Sequence, residues 1–144
     1  MLRSMGIICA LVVSLLGVSA CVPLAKGVSI EIACDDFAKI NQLKQRTELA
    51  IEGLRTTLVV TLCSNQSTGF RWSEKASISD PAILQQEDHK FVPPDGSVAG
   101  AAGKEVWTFR LLKQGTAQIS MDYSRQSGGG EKPVWTYSLD VTAK

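Results

Sequence analysis

The chain has 144 residues, a length that suggests one domain. Hydrophobic residues make up 44% and charged residues 20%, which excludes a disordered or fibrous chain. Fifteen Lys and Arg against 14 Asp and Glu leave a scattered net charge of +1, so no basic field exists to hold nucleic acid.

The first twenty residues read as a targeting segment. Arg3 supplies a positive start, and Met5 to Val18 is almost wholly apolar, the length of a signal core and short for a membrane span. The segment ends Val18-Ser19-Ala20-Cys21, which resembles a bacterial lipobox. That resemblance implies cleavage before Cys21, a lipid on its sulfur and attachment to a membrane of the cell envelope. Val22 follows rather than Asp, which resembles an outer-membrane sorting signal facing the periplasm or exterior. The expected division is residues 1–20 as lipoprotein signal peptide and 21–144 as the domain, with a core of roughly 45–144. The removed part carries one base and no acid, so the charges of the remainder balance.

Cys34 and Cys63 are then the cysteines left for pairing. An even pair in an oxidising compartment suggests a disulfide. Alternation argues against it. Val28, Ile30, Ile32 and Cys34 share one strand face, whereas Leu54, Leu58, Val60 and Leu62 share another and Cys63 points away from it. A bridge therefore requires a strand end to bend or twist. Two thiols and the single histidine, His89, are too few for a structural zinc site, and no cofactor or metal is expected.

From residue 26 on, the periodicity is close to two. Val28–Cys34 alternates, and Thr47–Ile51 is a short strand candidate before a turn at Glu52-Gly53. Leu54–Leu62 is the longest β-branched run and reads as a central strand. Phe70–Ser73 resumes a strand, and Ile83–Val92 is partly extended up to Pro93-Pro94. Glu105–Leu112 places Trp107, Phe109 and Leu111 on one face. Ala117, Ile119, Met121 and Tyr123 alternate with polar residues, as do Trp135, Tyr137, Leu139 and Val141. Phe37–Arg46 is a weak helical candidate. The pattern predicts an all-β, immunoglobulin-like sandwich or barrel of seven to eight strands, expected to be a monomer.

Three loops break the alternation with small or turn-forming residues: Ser64–Gly69, Pro93–Lys104 and Ser124–Pro133. Taken singly, each is an ordinary connector. The first, however, continues as Asn65-Gln66-Ser67-Thr68-Gly69-Phe70-Arg71-Trp72. This resembles the NPTTGF/Y-x-W signature of the chagasin-type inhibitors of papain-like cysteine peptidases. Gly100-Ala101-Ala102-Gly103 is similar to that family's GxGG motif, and Arg125-Gln126-Ser127, after a strand ending at Tyr123-Ser124, stands where the family carries Arg-Pro-Trp. Three motifs in order on an all-β pattern identify the chain as a member of that family.

The resemblance implies three loops side by side at one end of the fold, entering a peptidase cleft as a reversible, non-covalent wedge. The central loop would lie over the catalytic cysteine and histidine, flanked by the other two. The residue types suit this task. Gly69 permits φ > 0, Ser67 and Thr68 offer short hydroxyl donors, and Asn65 can bond its own loop backbone. Phe70 and Trp72 are expected to anchor the loop to the core. Gly100 and Gly103 would let the second loop lie flat on the cleft wall.

There are three departures from the family pattern. Gln66 replaces a stiffening proline, Ala102 replaces a glycine, and Gln126-Ser127 replaces Pro-Trp. Trp135 does not stand in for the missing Trp, because its alternation with Tyr137 and Leu139 puts it on a core face. Two other classes compete with an inhibitor. One is an envelope protein-binding module of the same fold without peptidase inhibition. The other is a small hydrolase using Cys63 or a loop serine with His89 as base. His89 lies in the polar stretch Gln85–Lys90 and is expected to be a solvated surface residue.

Overall fold

The computed structural model describes residues 27–35, 44–54, 56–96, 98–125 and 132–144. Among them are nine strands: β1 (Gly27–Ile32), β2 (Lys44–Ile51), β3 (Thr57–Ser64), β4 (Phe70–Trp72), β5 (Ser77–Ile78), β6 (Leu84–Val92), β7 (Gly103–Leu111), β8 (Gly115–Arg125) and β9 (Trp135–Ala143). The all-β expectation holds, with one strand more than the seven to eight predicted. The addition is the two-residue β5, too short to show a period.

The strands form two sheets, ordered β1-β3-β7-β6 and β2-β9-β8-β4, with β5 also paired to β8. Their inner faces share one core. Leu58, Val60 and Leu62 of β3 and Trp107, Phe109 and Leu111 of β7 face Ile119 and Met121 of β8 and Tyr137, Leu139 and Val141 of β9. Strict alternation produces this: β3 reads half-buried, buried throughout its eight residues, because successive side chains leave opposite faces of a strand. Each fully buried Leu, Val or Phe contributes roughly 1.5–3 kcal/mol of transfer free energy, so the alternating set is what holds the sheets together.

Three expectations need correction. Leu54 is not in β3; it sits in the preceding turn, 52% exposed. The end of the helical candidate, Lys44–Arg46, is strand, paired in parallel with Thr136–Ser138 of β9; its beginning lies outside the described residues. And His89 is not a solvated residue, as its contacts below show. Outside the span 45–144, β1 pairs in parallel with β3 from Gly27↔Thr57 to Ile32↔Leu62, and its Val28, Ile30 and Ile32 pack half-buried against a core whose buried residues run from Ile51 to Ala143.

The disulfide left open by alternation is formed between Cys34 and Cys63, 29 residues apart in sequence. The objection from alternation applies only within a strand. β1 ends at Ile32, two residues before Cys34, so the chain is free to turn its thiol toward β3. With its sulfur bonded, Cys63 is no nucleophile.

Register fixes where the loops emerge. Ser64, the last residue of β3, pairs with Gly103, the first of β7. Phe70, the first of β4, pairs with Arg125, the last of β8, and Tyr123 pairs with Trp135, the first of β9. The β3–β4, β6–β7 and β8–β9 connections therefore all leave from one end of the sandwich.

Candidate functional site

The β3–β4 connection crosses from one sheet to the other. Gln66–Thr68 forms a single 3-10 turn, closed by Gly69 at φ 81°, in the left-handed region that favours glycine. Asn65 builds the turn. Its Oδ1 accepts from Ser67 N–H at 3.2 Å and from Ser67 Oγ at 2.5 Å. Thr68 Oγ1 donates to Asn65 O at 2.6 Å, and the N–H groups of Thr68 and Gly69 donate to Asn65 O and Gln66 O. Gln66 thus occupies the place of a proline inside a turn that side chains have already closed. Ser67, Thr68 and Gly69 project exposed from it. Both hydroxyl protons are engaged within the loop, so the expectation that Ser67 and Thr68 act as free donors changes: as built, they present oxygen lone pairs outward.

Asn65 also reaches the second loop, donating from Nδ2 to Gly100 O at 3.0 Å. Gly100 has φ 80° and is exposed, and Ala101 N–H donates to Val98 O. Ala101 and Ala102 are half-buried. Gly103 plays a different part from the one expected. It is buried at the start of β7, where a Cβ would lie 2.4 Å from Val92 O and 2.7 Å from the Phe91 ring. Its missing side chain lets two strands approach rather than letting a loop lie flat.

The strand ends that flank the third loop are tied in by aromatic rings. Asn65 N–H donates to Tyr123 Oη at 3.3 Å. Tyr123 stacks on Phe70 at 5.7 Å and on Trp135 at 5.2 Å, and tilts against Trp72 at 5.0 Å. Arg125 lies over the Phe70 ring, its Cζ 5.0 Å from the centroid. Trp72 is buried, with Nε1–H donating to Cys63 O at 2.8 Å, as an anchor should be. Phe70 is only half-buried. Trp135 is on the core face as expected, but at the strand's end, where it too is half-buried against Tyr123. Phe70, Tyr123, Trp135 and the disulfide line an apolar hollow of about 520 Å³, which Asn65, Thr68, Ala102 and Val134 also line. Gln126, Ser127 and Cys21 lie outside the described residues.

A residue that sequence reading passed over sits behind the central loop. Glu105 is 1% exposed on the core face of β7. Its Oε1 accepts from Ser64 Oγ at 2.6 Å and from Trp72 N–H at 3.2 Å, and its Oε2 lies 2.9 Å from His89 Nε2. The His89 ring packs 4.9 Å from Trp107 and its side chain is only 16% exposed. The signal was available: Glu105 is in period with Trp107, Phe109 and Leu111, so the alternation that buries them buries it.

A family model described as Chagasin family peptidase inhibitor I42 matches residues 54–141, a span containing all three loops. The chain belongs to the chagasin family. That family is one of protease inhibitors and not of enzymes. Its fold is shared with the cysteine protease inhibitor EhICP2 from Entamoeba histolytica, at TM-score 0.62 and 17% identity over 85% of this chain and 99% of that one. It is also shared with PbICP-C, solved in complex with falcipain-2, at TM-score 0.57 and 15% identity over 83% of this chain and 100% of that one. Amebosin follows at TM-score 0.52 and 17% identity over 84% and 99%. No curated protein matches the chain significantly.

Proposed function

We propose that this family member is a reversible, non-covalent inhibitor of papain-like cysteine peptidases, and that its three neighbouring loops form the wedge that fills the cleft. The observation that carries this reading is the central loop. Ser67-Thr68-Gly69 is exposed on a turn closed by Asn65, and the same asparagine bonds the second loop and meets the tyrosine beneath the third. A preordered loop loses little entropy on binding, which a wedge held by few contacts requires. The falcipain-2 complex of PbICP-C supports a cysteine peptidase as the class of partner.

In this reading Asn65–Phe70 faces the catalytic pair, with Gly100–Gly103 on one side and Arg125-Gln126-Ser127 on the other. Close approach to a thiolate is served by Gly69, which has no side chain to intrude. No bond to the enzyme forms, and the inhibitor remains uncut. Titration of papain and a cathepsin with the protein should show tight, reversible inhibition and recovery of intact inhibitor. A folded protein that leaves both enzymes fully active contradicts the reading.

We also propose that Val18–Cys21 directs lipidation of Cys21, holding the inhibitor at the outer membrane, facing the periplasm or exterior. Mass spectrometry of membrane-extracted protein should find an acylated Cys21 at its N-terminus. A soluble form beginning elsewhere contradicts this.

A further inference from the structure

A carboxylate on the core face of a sandwich is expensive unless its oxygens are bonded, because burial strips it of water. Glu105 is almost wholly buried, and it is bonded in a particular place. Ser64 immediately precedes the central loop, and Trp72 is the last residue of the strand that follows it. The first belongs to the β1-β3-β7-β6 sheet and the second to the β2-β9-β8-β4 sheet. Backbone ladders set spacing within a sheet, not between two sheets facing each other. One oxygen, Glu105 Oε1, reaches both Ser64 Oγ and Trp72 N–H and so spans that gap at the base of the loop. The other oxygen is held by His89 Nε2 from β6, whose ring packs on Trp107.

We propose that Glu105 is a positioning residue for inhibition: it ties the end of β3 to the end of β4, fixes the separation of the two stems of the central loop, and is itself aimed by His89. The inference rests on the reading of that loop as the peptidase-facing element. Glu105 touches no peptidase atom in this account and acts through the loop. Fully satisfied buried networks of this kind fix one arrangement where an apolar contact would allow several.

The experiment compares Glu105→Gln, Glu105→Leu and Ser64→Ala with the parent. It reads dissociation from papain, thermal melting, and hydrogen exchange of the Thr68 and Gly69 amides against those of Ile119 and Leu139 in the core. A Gln carboxamide keeps an oxygen for Ser64 and Trp72 and turns its NH₂ toward His89, so Glu105→Gln should stay within about threefold of the parent. Losing one such hydrogen bond is worth about a factor of ten, so Ser64→Ala and Glu105→Leu should speed papain dissociation and loop-amide exchange by about tenfold or more. Core exchange should not change in Ser64→Ala.

Folded Ser64→Ala with parental dissociation and loop exchange overturns the proposal. So does a Glu105→Gln variant as defective as Glu105→Leu, since the bridge would then not be what matters. If Glu105→Leu does not fold, Ser64→Ala and Glu105→Gln decide. If the parent itself fails to inhibit papain, the proposed function falls, and loop-amide exchange still judges the tether.

Discussion

The central loop and the second loop leave the same end of the sandwich and are built differently. The central loop closes on itself, with Asn65 Oδ1 and the Asn65 and Gln66 carbonyls taking up its donors, and Glu105 bracing its stems. The second loop, among the described residues, has one internal bond of its own, Ala101 N–H to Val98 O, and borrows its position from Asn65 Nδ2 at Gly100 O. The lesson is one of dependence: order flows from the first loop to the second, so damage to the first should spread while damage to the second should stay local.

The largest expected effect does not discriminate between the two regions. Replacing Cys34 and Cys63 by Ala frees a closure of 29 residues at the foot of the central loop. Loop-closure entropy puts the loss at about 3–4 kcal/mol. Melting should fall by roughly 10–15 °C, since each kcal/mol shifts a domain of this size by a few degrees. Loop amides and core amides should lose protection together. A loss confined to the loops would show the bridge to be a local clamp instead.

Asn65→Ala sharpens the contrast. It removes the Oδ1 bonds inside the first loop and the Nδ2 bond to the second. At roughly 0.5–1.5 kcal/mol for each net hydrogen bond, the three together put the loss at about 1.5–4.5 kcal/mol, so inhibition should weaken by at least about tenfold and melting should fall by several degrees. Amide exchange should rise in both loops. If only the first loop responds, the second is ordered by something other than Asn65.

Gly69→Ala and Gly100→Ala give the smallest and most telling pair. Both glycines are near φ 80°, and a Cβ at either meets nothing within 4 Å, so the backbone strain of roughly 1–2 kcal/mol is the same. At Gly69 the surrounding bonds hold the turn, and the strain should appear as lost stability and weaker inhibition. At Gly100 the loop can relax, so melting should hardly move. Equal shifts in melting temperature for the two variants contradict the contrast.

Much of this was legible in the sequence. Alternation gave the core faces of β3, β7, β8 and β9, and the motif around Asn65 and Gly69 pointed to the turn the structure builds. What remained hidden has physical causes. β5 has two residues and no period. The parallel partners of β1 and β2 are set by long connections, which local pattern does not encode. Cys34 could pair because a strand ended two residues earlier, and strand ends are the least marked feature of an alternating run. The polar neighbours of His89 suggest a solvated residue, but its own face of β6 turns to Glu105. Alternation puts Trp135 on the core face, but a face says nothing of how near the open end of the sandwich a residue stands.

The proposed peptidase-facing element is the exposed tip of the preformed central loop. This is tested by titrating papain with the parent and with the double variant Ser67→Glu, Thr68→Glu. Both positions are exposed and outside the core, so the variant should stay folded, melting only a few degrees lower for the two hydroxyl bonds it loses, while its inhibition falls by at least 100-fold, as expected when about 3 kcal/mol or more of interface complementarity is lost. A folded variant that inhibits as well as the parent would show that the wedge lies elsewhere on the molecule.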